Sequence, residues 1–427
     1  MAGKTIAEKA LSRNSTSGES VAAGDLVDAR VDGLLAINYL HVGGTYRQMG
    51  FPDGPPTVFD PERVYLMDDH VQPPRSVEVA RANRESAGVA ARLRLGHYRS
   101  EMGIGHQIML ESGYVRPGEL VVGNDSHTIA YGAVNAVSTG VGTDEAAYVW
   151  AFGDLYFTVP ETIKVTLRGE RRPYPFAKDV ILYLAGRYGD SFAQDHAIEF
   201  DGPFCHALDM SSRVTIADHA VEVGATFGIF PFDETTDRFV AASGGDGRSY
   251  EPLEADPGAV YATQVEVDCD SVDFQVAKPF RFDNVVPVGE VAGRRIDQAR
   301  IGSCANGRFE DIEIAARMLR GRRVAPHVRF YVSPASLAVY RQCAQAGLIG
   351  DLLEAGVQVD SPGCAICQSP GIVLNEEVCI SSTTRNYHGR FGGATCADAE
   401  VYLAGPATVT AAAIAGEIVD PRDYLGG

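Results

Sequence analysis

The sequence predicts an α/β protein with several domains and parallel-rich sheets. Its 427 residues suffice for about three domains of roughly 150 residues each. Hydrophobic residues make up 45% and charged residues 22%, which is typical of globular domains with large cores. In the last third of the chain, predicted strands alternate with helices, which indicates βαβ units and a parallel sheet. The strands are expected at 300–303, 328–332 and 357–360, and the helices at 310–319 and 335–346.

The earlier part of the chain contains similar elements with less regular spacing. Apolar periodicity predicts a strand at Arg63–Met67, followed by a helix at Val77–Leu95. Residues 25–60 are rich in Gly and Pro, so irregular backbone near a site or an interface is expected there. The other expected elements are helices at Thr5–Leu11, Ala130–Phe152, Pro175–Tyr188 and Val214–Gly228, strands at Glu119–Val122 and Thr162–Leu167, a loop at 243–258 and a linker at Pro279–Val291.

The charge balance limits the classes of partner. A net charge of −19 repels nucleic-acid phosphates, so no nucleic-acid partner is expected. No membrane partner is expected either, because the longest weakly polar run, Ala407–Gly416, is too short and too Thr-rich to span a bilayer. The N-terminal residues lack the apolar core of a signal peptide, which predicts a cytoplasmic protein. A local basic pocket for an acidic metabolite stays compatible with this charge.

Three of the eight cysteines form a candidate metal-binding group. Cys364 and Cys367 form a C-x-x-C sequence flanked by Pro362, Gly363 and Pro370, which predicts a tight, exposed turn. Cys304 and Cys364 each follow a predicted strand. Because the carboxyl ends of parallel strands lie along one edge of a sheet, the two cysteines are expected to meet there.

Several chemistries suit these cysteines. Four disulfides are not needed in a chain of this length without an export signal. Simple buried thiols, a zinc site and a thioredoxin-like redox pair are alternatives, although zinc normally has a fourth ligand near in sequence. The favoured alternative is an iron–sulfur cluster on three thiolates. Such a cluster has one iron left open, which acts as a Lewis acid towards a substrate oxygen.

Histidines with neighbouring polar groups form three further short clusters. They are Asp68–Asp69–His70, His106–Gln107 and Asp125–Ser126–His127. A carboxylate beside an imidazole fixes its tautomer and raises its basicity, which suits proton transfer to a leaving hydroxide. A purely structural role for these histidines is the alternative. In the segment 383–390, Arg385 and Arg390 flank a glycine and are candidates for binding carboxylates in a bidentate manner, unless the segment is a solvated turn.

Five segments, in this order, resemble the aconitase superfamily. They are GNDSHTIAYGAVNAVSTGVGTDEAA, FTVPETIKVTLRGE, IGSCANGRFEDI, PGCAIC and TRNYHGR. Within the superfamily, the chain is similar to the large-subunit family of isopropylmalate dehydratases (isopropylmalate isomerases), from about residue 4 to about residue 420. The resemblance implies three α/β/α domains of the aconitase type, at 1–160, 161–285 and 286–427, without the fourth, swivelling domain. It also implies reversible dehydration and rehydration of a 2-substituted malate, such as isopropylmalate, a related alkylmalate or a homocitrate analogue.

The resemblance assigns roles to individual residues. It implies a [4Fe-4S] cluster on Cys304, Cys364 and Cys367. Asp69 with His70, and His106 with Asp125, would be proton-transfer pairs. Ser126 would contact the substrate, and His127 would complete the network. Glu199 matches a glutamate that supports these imidazoles, and Arg385 and Arg390 match arginines that hold substrate carboxylates.

Some positions depart from the family pattern. Thr384 stands where an Asn is usual, and Ala305 replaces a Thr in the SCTN motif. The segments Gln194–His196 and Ile37–His41 also differ from the usual versions. Because the ligands and proton-transfer residues are kept while pocket positions differ, we expect the same chemistry on an unusual substrate. The alternative is a non-catalytic or regulatory homologue with an altered cluster, which the acidic charge and the Asp–His pairs disfavour.

A separate small subunit is the expected partner. Full-length aconitases carry a fourth domain whose Ser–Arg loop supplies the catalytic base. This sequence has no segment that resembles that loop, and its last motif, GPATVTAAAIAGEIVDP, matches the end of large subunits. We therefore expect a partner subunit that closes the site and supplies the swivelling domain.

Overall fold

Two compact units make up the chain in the computed structural model. The structure describes residues 3–38, 40–100, 102–170, 172, 174, 176–244, 247–367 and 371–426. The first unit comprises Met1–Glu101, Gly105–Gly169 and Ala193–Val267. The second comprises Met102–Ile104, Glu170–Phe192 and Asp268–Gly427. The predicted division into domains at 1–160, 161–285 and 286–427 stays a prediction.

The strands and helices follow one another in short alternating segments. The strands are β1 (Leu26–Arg30), β2 (Gly33–Ile37), β3 (Val64–Asp68), β4 (His97–Ser100), β5 (Leu120–Gly123), β6 (Val137–Gly140), β7 (Asp154–Thr158), β8 (Thr162–Arg168), β9 (Ala197–Asp201), β10 (Phe227–Ile229), β11 (Thr263–Asp268), β12 (Gln275–Ala277), β13 (Val285–Pro287), β14 (Gln298–Ile301), β15 (Arg329–Val332), β16 (Gln358–Val359), β17 (Val378–Ser381) and β18 (Glu400–Ala404). The helices are α1 (Ile6–Asn14), α2 (Leu40–Gln48), α3 (Val77–Leu93), α4 (Gly105–Glu111), α5 (Thr143–Phe152), α6 (Ala177–Tyr188), α7 (Pro203–Ala207), α8 (Met210–His219), α9 (Glu234–Ala242), α10 (Ser303–Asn306), α11 (Phe309–Leu319), α12 (Leu337–Gln345), α13 (Leu348–Ala355), α14 (Pro406–Ala415) and α15 (Arg422–Leu425). Short 3₁₀ helices cover Ser126–Val134, Ala220–Val223, Val288–Glu290, Cys364–Cys367 and Gly393–Cys396.

A five-stranded parallel sheet organises the first unit. Its order is β4-β3-β2-β5-β6, and each neighbouring pair runs in parallel. Strands β2, β3 and β5 are buried along their whole length, which explains why they are near-continuous apolar runs rather than alternating ones. The unit also contains the four-stranded sheet β10-β9-β8-β11 and the antiparallel pair β1-β7.

A seven-stranded mixed sheet organises the second unit. Its order is β13-β12-β18-β17-β14-β15-β16. The strands from β18 to β16 are parallel, and β12 pairs antiparallel with both of its neighbours. The alternation of strands and helices predicted beyond residue 300 is therefore confirmed, as is the α/β class with parallel-rich sheets.

Several element predictions were wrong or incomplete. Residues 25–60, predicted to be irregular, contain β1, β2 and α2. The sequence GLLAI of β2 is fully buried in the sheet, and its burial outweighs the Gly and Pro content around it. The predicted helix Ala130–Phe152 contains a 3₁₀ helix, strand β6 and helix α5. The predicted helix Val214–Gly228 ends at His219 and continues as a 3₁₀ turn into β10, and the predicted linker contains β13. Pro175 lies outside the described residues.

In the described part of the chain, none of the helices combines the length and the apolar character that crossing a membrane requires.

One close backbone approach fixes the 3₁₀ helix Ser126–Val134 inside the first unit. A Cβ atom at Gly132 would lie 1.8 Å from the carbonyl oxygen of Gly228 in β10. The peptide N–H of Phe230 donates to the Gly132 carbonyl at 2.9 Å, so the two segments are joined where they touch. A side chain at this position would therefore push apart two buried backbones.

We expect Gly132→Ala to lower the free energy of unfolding by about 2 kcal/mol or more, because the added methyl group overpacks a buried contact. Chemical denaturation measures this change. Gly88→Ala is the matched control: Gly88 is exposed within α3, and a Cβ atom there would have no neighbouring atom within 4 Å. That variant should be about 0.5–1 kcal/mol more stable than the wild type, from helix propensity. Equal stability of Gly132→Ala and the wild type would contradict the close approach.

Candidate functional site

The predicted histidine and carboxylate groups lie at the carboxyl ends of neighbouring parallel strands in the first unit. Asp69 and His70 follow β3, and Asp125 follows β5. His106 lies in the first turn of α4, a few residues after β4. The carboxyl edge of a parallel sheet gathers such groups because the loops after its strands share one side. The structure thus brings together residues that are far apart in sequence.

Asp125 lies at the centre of this group. It caps the 3₁₀ helix Ser126–Val134, where its Oδ1 accepts a hydrogen bond from the backbone N–H of His127 at 2.8 Å. The same oxygen lies 2.8 Å from His106 Nε2, and Oδ2 lies 3.3 Å from His70 Nε2. One carboxylate therefore orients two imidazoles and the start of a helix. We call His70, His106 and His127, with Asp69, Asp125 and Glu222, the imidazole cluster.

Each histidine has a second partner that fixes its ring. His70 Nδ1 lies 2.6 Å from Asp69 Oδ1, and Asp69 Oδ2 accepts the Gly105 N–H at 2.7 Å. His106 Nδ1 lies 3.1 Å from the hydroxyl of Tyr131. These contacts leave the rings few orientations, which is the arrangement that directed proton transfer needs.

Glu222 takes the place that the sequence analysis gave to Glu199. Glu222 Oε1 lies 3.3 Å from His127 Nε2. Glu199 instead accepts hydrogen bonds from the Ile6 N–H at 2.6 Å and from the Tyr261 hydroxyl at 2.8 Å. Both oxygens of Glu199 are thus used elsewhere, and the expectation that it supports the imidazoles is corrected.

Glu199 lines a separate cavity of about 590 Å³ in the first unit, together with Lys164, Asp201 and Tyr261. Burial raises the pKa of Glu199, against the opposing effects of its bonds from Ile6 and Tyr261.

A second carboxylate near His127 was also missed. Asp218 in α8 is fully buried and offers an oxygen within 4.8 Å of a ring nitrogen of His127. Within the described residues, neither of its oxygens has a hydrogen-bond partner. Asp218 therefore places a further buried carboxyl group beside His127.

The electrostatics stabilise opposite charges on His70 and Asp125. Burial disfavours the charged form of His70, but the charge of Asp69 and the hydrogen bonds to Asp125 and Asp69 outweigh it and raise the pKa of His70 to about 11. Burial would raise the pKa of Asp125, but the charge of His106 and the bonds from the three histidines hold it well below its usual range. At neutral pH, His70 is therefore an imidazolium and Asp125 a carboxylate.

The three candidate cysteines lie together in the second unit, at the carboxyl ends of β14 and β16. Cys304 lies in α10, directly after β14, and is buried beside Ile104, Ala335 and Cys364. Cys364 also packs against Cys367 and Ile366 in the 3₁₀ turn Cys364–Cys367. The meeting of these cysteines at one sheet edge agrees with the sequence analysis. The turn is less exposed than predicted, because Cys367 is only 4% exposed. Pro370 lies outside the described residues.

The backbone around Cys304 is held by a buried arginine. Arg308 donates to the carbonyl oxygen of Cys304 at 2.6 Å and to that of Ala305. The Arg308 N–H in turn donates to Asp311 Oδ2 at 3.0 Å. Ser303 has a φ of 74°, which is unusual for a residue with a side chain. Such backbone strain is common at sites where a side chain must be held in one orientation for binding.

The predicted substrate arginines lie on a loop that follows β17, at the same sheet edge. The loop is anchored by Lys178, whose Nζ donates to the Thr383 carbonyl at 3.0 Å, and by Asn386, whose Nδ2 donates to the Lys278 carbonyl at 2.8 Å. Arg390 Nη1 donates to the Tyr387 hydroxyl at 3.2 Å, while its buried Nε has no partner among the described residues. No carboxylate of the described residues pairs with Arg390, so its guanidinium is available for an anion.

Two other buried cysteines, Cys343 and Cys379, are held in the neutral thiol form. Burial raises the pKa of Cys343 and of Cys379 to about 12, so both stay neutral thiols. Metal ligation needs thiolates. Their environment therefore does not favour a ligand role.

A family model matches most of the chain. Residues 74–296 and 289–416 match the model of the aconitase family, described as aconitate hydratase. The chain belongs to the aconitase family. This assignment confirms the predicted resemblance and the predicted hydro-lyase class of enzyme. An iron–sulfur cluster is expected of the family.

Individual relatives are similar over their whole length. The chain is 42% identical over 427 residues to 3-isopropylmalate dehydratase large subunit 1 of Methanopyrus kandleri, covering 99% of this chain and 100% of that protein. It is 39% identical over 427 residues to 3-isopropylmalate dehydratase large subunit of Moorella thermoacetica, with the same coverage. It is 38% identical over 435 residues to a probable methanogen homoaconitase large subunit of Methanothermobacter thermautotrophicus, covering 100% and 98%.

We expect His70 to stay protonated throughout the pH range in which an ordinary histidine, with a pKa of about 6.5, loses its proton. Because the pKa of His70 is raised in the folded state, protonated His70 stabilises the folded protein. This contribution to the free energy of unfolding is complete below pH 6.5 and is lost as the pH rises towards about 11. NMR of ¹⁵N-labelled histidine rings measures the titration. Asp69→Asn should lower the pKa of His70 because its strongest charge partner is lost. A His70 that titrates near pH 6.5 in the wild type would contradict the geometry.

Proposed function

We propose that this chain is the large, cluster-bearing subunit of a hydro-lyase that dehydrates and rehydrates a 2-substituted malate. The main supporting observation is that Cys304, Cys364 and Cys367 pack together at one sheet edge. Arg390 is close enough to interact electrostatically with Cys367 and Cys364, and none of the described carboxylates pairs with it. The candidate substrates are 3-isopropylmalate, a related alkylmalate and a homocitrate analogue. The names of the relatives, 3-isopropylmalate dehydratase and probable homoaconitase large subunits, support this choice.

The residues of the second unit fit a [4Fe-4S] cluster. Cys304, Cys364 and Cys367 would hold it. When bound, the cluster supplies a Lewis-acid iron for the hydroxyl that leaves as water. Burial of Cys304 and Cys367 suits a group that must be shielded from oxidants. Burial lowers the pKa of Arg390, but the charge of Cys367 and the Tyr387 hydroxyl outweigh burial and raise it.

The imidazole cluster would handle the protons. His70, held as an imidazolium by Asp69 and Asp125, would donate a hydrogen bond or a proton to the leaving hydroxyl. His106 is held between Asp125 and the Tyr131 hydroxyl and would relay protons through its ring, while Asp125 stays ionised and orients it. Glu222 would orient His127, and Ser126 would contact the substrate.

The arginine loop would bind the substrate carboxylates. Arg385 and Arg390 follow β17 on the backbone that Lys178 and Asn386 anchor. A planar guanidinium matches a carboxylate in a bidentate manner, which fixes the orientation of a small acid better than a lysine does. Thr384, which departs from the family pattern, is buried and directly precedes Arg385. A change at this position would alter the substrate preference.

A separate small subunit would complete the enzyme. The relatives that this chain matches over their full length are named large subunits, which implies a partner of smaller size. The partner would supply the swivelling domain and the catalytic base that the sequence analysis assigns to it. Closure by a partner would also exclude water from the bound acid and strengthen its charged contacts.

The function is tested on protein prepared without oxygen and loaded with iron and sulfide. The chain should bind about four irons and four sulfides, as a [4Fe-4S] cluster requires. Cys304→Ser, Cys364→Ser and Cys367→Ser should each lose most of the iron, whereas Cys343→Ser and Cys379→Ser are matched controls that should keep it. With the small subunit added, the loaded protein should interconvert 3-isopropylmalate or homocitrate with the dehydrated acid.

Two results would contradict this function. One is full iron content in Cys304→Ser together with loss of iron in Cys379→Ser. The other is a fully loaded complex that leaves every 2-substituted malate unchanged.

We expect His106→Ala to keep the iron and to lower turnover by about 10²–10⁴, the usual contribution of a general acid–base group. The relay between Asp125 and Tyr131 is then missing, while the cysteines are untouched. Steady-state kinetics and iron analysis measure the two effects. His206→Ala is the matched control, because His206 lies in the same unit and its Nδ1 is 3.1 Å from Asp233 Oδ2 rather than bound to Asp125. Wild-type turnover in His106→Ala would exclude the relay.

A further inference from the structure

We propose that Arg300 is a positioning residue that holds the Cys364–Cys367 turn in its cluster-binding form and balances the negative charge of the thiolates there. The role rests on the proposed cluster. Arg300 lies in β14, in the middle of the seven-stranded sheet, and is fully buried. Its strand neighbours Ala299 and Ile301 are apolar, as buried parallel strands require. An arginine is unusual at a buried strand position, so a specific interaction is expected to explain its presence.

Arg300 directs both terminal nitrogens of its guanidinium at backbone carbonyls in and just beyond the cysteine turn. Its Nη1 donates to the Ile366 carbonyl at 3.0 Å, and its Nη2 donates to the Gly371 carbonyl. Its Nε donates to Gln298 Oε1 at 2.7 Å, which fixes the plane of the group. Ile366 lies between Cys364 and Cys367, and Gly371 lies a few residues beyond Cys367. One rigid fork therefore holds the backbone on both sides of Cys367.

The side chain of Ile366 fixes the same turn from the other side. A Cβ atom at Gly302, which has a φ of 155°, would lie 3.2 Å from Ile366 Cγ2 and 2.8 Å from the Ser333 carbonyl oxygen. Gly302 directly precedes α10, which carries Cys304. The bare glycine therefore allows the turn with Cys364 and Cys367 to pack onto the strand end that presents Cys304. Arg300, two residues earlier, fixes this contact through the backbone.

The charge of Arg300 has no carboxylate to balance it. None of the carboxylates in the described part of the chain pairs with it, and its guanidinium stacks on the ring of Phe391 at 3.8 Å from the centroid. Burial lowers the pKa of Arg300, and the thiols of Cys379 and Cys367 oppose this shift. Arg300 donates to the carbonyl of Ile366, the residue directly before Cys367, so a Cys367 that ligates a metal as a thiolate would place an anion near this guanidinium.

Arg213 shows how the same chain buries an arginine for structure alone. It is also fully buried, but it binds Asp233 through Nη1 at 2.9 Å and Nη2 at 2.6 Å. A buried ion pair of this kind balances its own charge. Arg300 lacks such a pair and directs its donors at the cysteine turn, so the geometry points to the thiolates as the missing anion.

The test compares Arg300→Met, which removes charge and fork, with Arg300→Lys, which keeps the charge but loses the fork. All proteins are prepared without oxygen and loaded with iron and sulfide. The rate of iron release to a chelator and the reduction potential of the cluster, followed by electron paramagnetic resonance, are measured. Loss of an outer-sphere partner typically weakens metal binding about 10–100-fold, so iron release from Arg300→Met should accelerate by that factor.

The two variants separate positioning from charge. Arg300→Met should also have a more negative reduction potential, because a nearby cation favours the reduced cluster. Arg300→Lys should release iron faster than the wild type but keep a potential close to that of the wild type. Arg213→Met, the matched control, should lower the melting temperature and leave both cluster measurements unchanged.

Several results would overturn the proposal. The first is that Arg300→Met releases iron at the wild-type rate and has the wild-type reduction potential. The second is that Arg300→Lys does so. The third is an Arg213→Met protein whose cluster changes as much as that of Arg300→Met, which would indicate general destabilisation. If Arg300→Met does not fold, Arg300→Lys decides the outcome through its release rate. A wild-type protein that binds no iron would instead overturn the proposed function.

Discussion

The carboxylate of Asp125 is the constraint on which the chemistry of the first unit depends. It accepts from a backbone N–H, lies against His106 and His70, and starts a 3₁₀ helix. These bonds are possible because β3, β4 and β5 end on one side of a parallel sheet. The sheet thus converts residues that are distant in sequence into a single network. The low pKa of Asp125 and the high pKa of His70 follow from that proximity.

In the second unit, the edge of a parallel sheet likewise brings cysteines and arginines together. Cys304 follows β14, Cys364 lies shortly after β16, and the arginine loop follows β17, all on one parallel edge. Buried arginines surround the cysteine backbone: Arg308 at Cys304 and Arg300 at the Cys364–Cys367 turn. Arg300 pairs with none of the carboxylates in the described part of the chain, so its charge suits a site for an anionic group. An otherwise acidic chain thereby acquires a locally cationic centre.

The sequence patterns predicted the ends of strands better than they predicted the contacts between the side chains that follow them. Apolar runs followed by polar residues correctly indicated strand ends, and hence the placement of Asp69, Asp125 and Cys304. Glu222 was missed because its motif neighbours carry no local signal and only tertiary packing brings it to His127. Glu199 satisfied a local motif but lies beside Ile6 and Tyr261.

Burial explains the other differences between sequence and structure. The segment 25–60 was misjudged because sheet burial of β2 outweighs the Gly and Pro signal that surrounds it. Arg300 had no sequence signal, since an arginine inside a strand normally indicates an exposed edge. Its meaning depends on the carbonyls of Ile366 and Gly371, which no local pattern specifies.

We propose that Cys304 and the Cys364–Cys367 turn would hold a cluster whose open iron binds a hydroxy acid. The electron paramagnetic resonance signal of the reduced, fully loaded protein tests this claim directly, recorded before and after addition of 3-isopropylmalate and of homocitrate. At least one acid should shift the signal, and an acid labelled with ¹⁷O at its hydroxyl should broaden it. A fully loaded cluster whose signal neither acid changes would contradict the claim.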